Sequence, residues 1–250
     1  MIFIEQKPLT RTVILSGPAD NWQRGELVRR ITGCTLGRYL RTEIAEPLGI
    51  DVHVGLPAAE HHRCAEMINK PHIRDVLAGG GAPGQPARLD EHPMAGLAVA
   101  MGFLPDDELG STDIDSWRAA EFPGTNSHVS AHGLATFYNA LAQEKLLSRE
   151  LMERVRVSQG GFDTDVVLGA RVADHGWGLG YMLNQRGVAG PNPAIFGHGG
   201  SGGSFAFVDL EHRIGYSYVM NHFDATKCNA DPRTLALSDE VYSALGVKTA

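Results

Sequence analysis

The sequence predicts an α+β protein, an antiparallel sheet with packed helices. Three observations carry this. Residues 205–221 read as a hairpin: Phe205, Phe207 and Val208 are strand formers, Leu210-Glu211-His212-Arg213 is the turn, and Ile214, Tyr216, Tyr218 and Met220 alternate with smaller or polar residues, the period of a half-buried strand. Apolar faces of helical period, with their own start signals, recur between residues 22 and 157 and again after Asp231-Pro232. Finally, 250 residues that are 43% hydrophobic and 20% charged suffice for one sizeable domain or two small ones and argue against disorder.

Residues 1–20 hold two short candidate strands, Ile2-Phe3-Ile4 and Val13-Ile14-Leu15, punctuated by Pro8 and Gly17-Pro18. From Gly25 a helix is expected with Leu27, Val28 and Ile31 on its apolar face and Gly33 as its stop. Thr35 caps the next helix, whose face is Leu36, Tyr39, Leu40 and Ile44 and whose end is Pro47. His53 to Pro57 is extended, 60–68 a short helix, 79–87 a flexible Gly/Pro loop, 91–104 a buried helix and 105–127 an irregular acidic connection. Ser130 caps a helix with Leu134, Phe137, Tyr138 and Leu141 on its face, and Ser148 caps a short one ending near Val155. Residues 176–183 alternate small with large side chains and read as a strand beside the hairpin. The helix that starts at Asp231-Pro232 turns Leu235, Val241, Tyr242 and Leu245 inward. No internal repeat is found.

A net charge of −7 without a basic run argues against a nucleic-acid partner. No apolar run is long enough for a membrane span, and the first residues lack the basic start and apolar core of a signal peptide. Cys34, Cys64 and Cys228, scattered and odd in number, read as free thiols and lead us to expect a cytoplasmic protein.

The chemistry concentrates in Phe196-Gly-His-Gly-Gly-Ser-Gly-Gly-Ser-Phe205. Gly197, Gly199, Gly200, Gly202 and Gly203 remove side chains where a strand would carry them, so that another backbone or a ligand can come close. This stretch, the strand after it and Tyr218-Val-Met-Asn221 resemble the third motif of the serine β-lactamase-like family, in particular the esterases related to class C β-lactamases and penicillin-binding proteins. A weaker match runs over roughly 25–245 and includes Gly25 to Leu40 and Ile44-Ala-Glu-Pro-Leu-Gly-Ile50, similar to the helix pair that follows the family's second motif. Residues 1–24 show no such match and 25–250 are expected to be the C-terminal part of a β-lactamase-like domain. The resemblance implies the β-lactamase/transpeptidase-like fold in incomplete form, and a small ester or lactam as substrate.

In that family a serine in Ser-x-x-Lys attacks the carbonyl, and the lysine and a Tyr-x-Asn tyrosine handle protons. Here no serine has lysine three places on and no tyrosine has asparagine two places on. Both motifs belong N-terminal to the Gly25 match, so the chain is expected to be inactive by itself and, with part of its core unsupplied, to self-associate. What remains of the site is one wall: His198, Gly199, Gly200 and Ser201. By resemblance, His198 stands in the place of the lysine of Lys-Thr-Gly, binding a substrate carboxylate or tuning the proton network, and the Ser201 N–H supplies half of an oxyanion hole.

Other readings compete. His198 is also readable as a strand-edge histidine and the glycines as a tight bend. Gly199-Gly-Ser201-Gly-Gly203 fits Gly-x-Ser-x-Gly, the nucleophile elbow, but that needs a strand before and a helix after, and here a strand follows; Asp209, His212, His222 and Asp224 trail without a distinctive spacing. A phosphate loop would need a lysine and a helix after the glycines, and no cofactor is expected. His128 and His132 are one helical turn apart in sequence, and His61-His62-x-Cys64 is a second candidate metal cluster; both are read as surface histidines, with no metal expected. Three functions stay open: a β-lactamase-related hydrolase by descent, a non-catalytic binding protein on the same scaffold, and an independent serine hydrolase using Ser201.

Overall fold

A computed structural model describes residues 18–68, 115–121, 123–124, 126–159, 176–184, 187, 189–200, 202–222 and 231–247. The strands expected before residue 16, the 79–87 loop, the 91–104 helix, Ser201, Asp224 and Cys228 lie outside them. Helix α1 (Pro18–Thr32) ends where Gly33 takes φ +75° and returns its N–H to the Arg29 carbonyl. Val28 is buried on it, but Ile31, expected inward, is 59% exposed. Thr35 caps α2 (Leu36–Leu40) by accepting the Arg38 N–H. The helix does not stop at Pro47. It passes through a π-helical turn (Arg41–Ala45) into α3 (Glu46–Leu48), where Pro47 sits in the first turn and needs no N–H partner, and Gly49 at φ +63° ends it.

Strand β1 (Val52–Val54) follows, and then a 3₁₀ helix over Ala58–Arg63, earlier and shorter than the helix expected over 60–68. Within the expected irregular connection lies a short α4 (Asp115–Ala119). Strand β2 (Ser127–Val129) pairs antiparallel with β1, placing His53 opposite His128.

Ser130 and Ser148 cap α5 (Ala131–Ala142) and α6 (Arg149–Val155) as the sequence predicts, each Oγ accepting a main-chain N–H of the first turn. Between residues 176 and 183 the chain turns back on itself instead of running as one strand: Gly178 N–H donates to Tyr181 O, Leu183 N–H to Gly176 O, and only β3 (Met182–Leu183) joins the sheet. A Cβ on Gly178 would fall 1.9 Å from Val155 O, so this glycine lets the α6 backbone come close.

The sheet is antiparallel in the order β3, β4 (Phe196–Gly199), β5 (Phe205–Asp209), β6 (Ile214–Tyr218), and α7 (Pro232–Ala244) ends the described chain. Its two faces bury different sets, as the strand period requires. Phe196, Ala206 and Val208 pack with Tyr181 against Tyr138, Leu141, Met152 and Val155 of α5 and α6. Phe205, Phe207 and Tyr216 pack with Ile195 and Tyr242 of α7. Leu245, expected inward with Tyr242, is 57% exposed just past the helix end.

Helix α5 joins the two sheets through main chain. Ser130 N–H donates to Asp51 O beside β1, and a Cβ on Gly133 would lie 2.7 Å from that same oxygen. At the other side Ser217 Oγ donates to Ala131 O, and a Cβ on Gly215 would lie 2.3 Å from both Ala135 O and Asn139 N.

Candidate functional site

Of the four residues expected to form the wall, His198 and Gly199 end strand β4 and Gly200 opens the turn that follows, while Ser201 lies outside the described residues. In β4 the register sets Gly197 opposite Phe207, His198 opposite Ala206 and Gly199 opposite Phe205. His198 therefore shares a face with Phe196, but its side chain is exposed past the end of the core, with the buried Trp177 ring 5.6 Å away. Its Nδ1 lies 2.5 Å from Gly199 O. A carbonyl can only accept, so Nδ1 carries a proton. Met182 backs the strand, its Sδ 3.5 Å from the Gly199 N–H.

Three of the glycines, Gly197, Gly200 and Gly203, make room for a particular neighbour. A Cβ on Gly197 would lie 2.1 Å from Ala206 O and 2.6 Å from Phe207 Cα, so this glycine serves cross-strand packing. A Cβ on Gly200 would meet Ser204 Oγ at 2.3 Å, and one on Gly203, where φ is +112°, would meet Asp231 Oδ2 at 2.1 Å. The turn closes through Gly200 N–H to Ser204 O at 2.7 Å and Gly203 N–H to Gly200 O at 3.3 Å.

The other candidates separate. The glycine run has β4 before it and β5 after it, so the strand-then-helix setting of a nucleophile elbow does not surround it. Asp209 and His212 do pair, Oδ2 to Nδ1 at 2.9 Å, but at the far end of β5, about 13 Å from its start at ~3.3 Å per residue. Fully buried Asp209 also accepts from Asn192 Nδ2, Tyr242 OH and the Glu211 and His212 amides, and so secures the turn at Arg213, whose φ is +57°. Burial pushes its carboxyl pKa up, but these hydrogen bonds together outweigh burial and hold it below the usual range.

His128 and His132 are not on one helical face, because His128 lies in β2 and His132 in α5. Burial lowers the pKa of His128. His61 is engaged by Asp115 Oδ1 and Leu56 O, and His62 by Ala59 O. Among the described residues no three His, Cys, Asp or Glu side chains converge as metal ligands. Asp231, which sequence reasoning used only to start a helix, and Arg233, which it did not use, contact the turn at Gly202 and Gly203; their distance along the chain left no local signal.

The fold is shared with solved structures. The Beta-lactamase family model matches residues 18–239. The chain belongs to the beta-lactamase family. It is 29% identical over 212 residues to the Esterase/beta-lactamase LipL of Mycobacterium tuberculosis, covering 80% of this chain and 46% of that protein. Among solved structures it resembles a penicillin-binding protein homolog from Caulobacter crescentus, with TM-score 0.71 and 30% identity over 90% of this chain and 56% of that one. A family VIII carboxylesterase gives TM-score 0.68 and 33% identity, covering 88% and 55%. The chain thus spans about half the length of these beta-lactamase relatives. No helix among the described residues is long and apolar enough to cross a membrane.

Proposed function

We propose that this chain carries one wall of a β-lactamase-related serine hydrolase site for small esters or lactams, with the acylated serine supplied from outside these 250 residues. The observation that supports this most is His198, projecting beside Trp177 from a strand whose glycines leave backbone on one side of a turn, in a chain of this family. In this reading His198 acts through Nε2, donating to a substrate carboxylate when the ring is an imidazolium or exchanging a proton with the proton network, and the Ser201 N–H donates to the oxyanion. Ester or lactam chemistry follows from the relatives named as esterase, beta-lactamase and carboxylesterase. No residue of the chain stands in a Ser-x-x-Lys or Tyr-x-Asn motif, so the wall alone has no acyl acceptor.

The 250-residue chain is therefore expected to hydrolyse neither p-nitrophenyl esters nor nitrocefin above a heat-killed control, and to resist fluorophosphonate labelling. Turnover that survives repurification and vanishes in Ser201→Ala would make Ser201 the nucleophile and overturn the reading. The coding sequence immediately upstream separates a hydrolase from a binding protein on the same scaffold: an in-frame Ser-x-x-Lys supports the former, and its absence the latter.

A further inference from the structure

We propose that Arg233, locked by Asp231, is a positioning residue that fixes the glycine turn behind the His198 wall; this rests on the wall reading above. Asp231 caps α7 and is 1% exposed, yet its carboxylate does more than cap. Oδ1 accepts from Arg233 N at 2.8 Å and from Arg233 Nε at 3.0 Å, and Oδ2 accepts from Nε and from Nη2. The guanidinium so held also donates to backbone: Nη2 to Gly202 O at 3.2 Å and Nη1 to His222 O at 3.4 Å. Its carbon lies 5.8 Å from the Tyr218 ring centroid, over the end of β6.

The fit is close from the other side as well. A Cβ on Gly203 would fall 2.1 Å from Asp231 Oδ2 and 2.8 Å from Arg233 Nη2, so the turn and the ion pair occupy adjoining space with nothing between them. An N-cap needs an acidic or hydroxyl side chain, but not an arginine that reaches a carbonyl 31 positions earlier in the chain. The planar fork can satisfy a carboxylate and a carbonyl together, which an ammonium cannot do with the same geometry. The glycines give the turn freedom, and the fork restrains it at Gly202 and Gly203.

The test is amide hydrogen exchange by NMR on the full chain, in the wild type, Arg233→Ala and Arg233→Lys, with thermal melts alongside. Loss of the fork is expected to speed exchange of the Gly200 and Gly203 amides about tenfold or more while β5–β6 amides keep their protection, the pattern of local and not global opening. Arg233→Lys keeps the charge and stem and is expected not to restore protection. Unchanged turn amides in Arg233→Ala, or full restoration by lysine, would overturn the proposal. If alanine unfolds the chain, the lysine comparison decides. Phenylacetate titration followed at the His198 ring protons links the clamp to the wall: weaker binding in Arg233→Lys than in the wild type supports positioning, and equal binding overturns it. A wild type that does not respond counts against the wall reading, and the exchange data then judge the clamp by themselves.

Discussion

Gly203 combines φ +112° with a would-be Cβ contact of 2.1 Å to a buried carboxylate oxygen, whereas the contact at Gly200 is to the tip of Ser204. The two glycines should therefore respond differently. Gly203→Val is expected to cost at least the ~1–3 kcal/mol of a strained backbone position. Gly200→Ala should cost less, and its cost should shrink when Ser204→Ala removes the Oγ it meets, a coupling readable in a double-mutant melt series. Equal small losses for Gly200→Ala and Gly203→Val would mark an ordinary exposed loop and would count against the wall. Asp209 gives a pH signature. Its folded pKa is depressed, so the stability it contributes is present above the unfolded value of about 3.9 and is lost as pH falls through the folded value. Asp209→Asn is expected to melt lower at pH 7 and to show a shallower acid limb, measured as melting temperature against pH. An acid limb as steep as that of the wild type would place the titration elsewhere.

Element starts were legible because each is a local bargain between one side chain and one orphan N–H. Thr35, Ser130, Ser148 and Asp231 all cap where the sequence places them. Ser130→Ala and Ser148→Ala are each expected to lower stability by about 1 kcal/mol, by denaturant melts; no change at either position would show that water replaces the hydroxyl. Element ends and inward faces were less legible. Pro47 reads as a stop, but a helix that passes through a π-helical turn meets it as a first-turn residue. Ile31 and Leu245 follow the apolar period, and their exposure depends on which neighbours arrive, which no window of sequence contains. At the site, His198 to Gly200 were readable from a contiguous motif, whereas the Asp231–Arg233 contact with the turn joins two distant segments. The Asp209 network also collects partners from Asn192 to Tyr242.

For the molecule as a whole, β6 pairs only with β5 among the described residues, and Ile31, Leu237 and Leu245 each expose more than half their surface. We propose that the isolated chain self-associates through such surface. Light scattering after size exclusion should show mass rising with concentration; a dye-negative monomer with a cooperative melt would end the idea. The placing of α5 has a different kind of consequence. Its backbone rests against Asp51 at Gly133 and against β6 at Gly215, where a glycine on one side of each contact leaves no side chain to act as a cushion. Such a helix is keyed like a shaft in two slots. Its outward residues can drift freely through evolution, but its length and phase cannot. One inserted residue would rotate everything beyond it by about 100°, and an insertion between Gly133 and Ala135 would leave the β1 end seated while swinging the β6 end out of its slot.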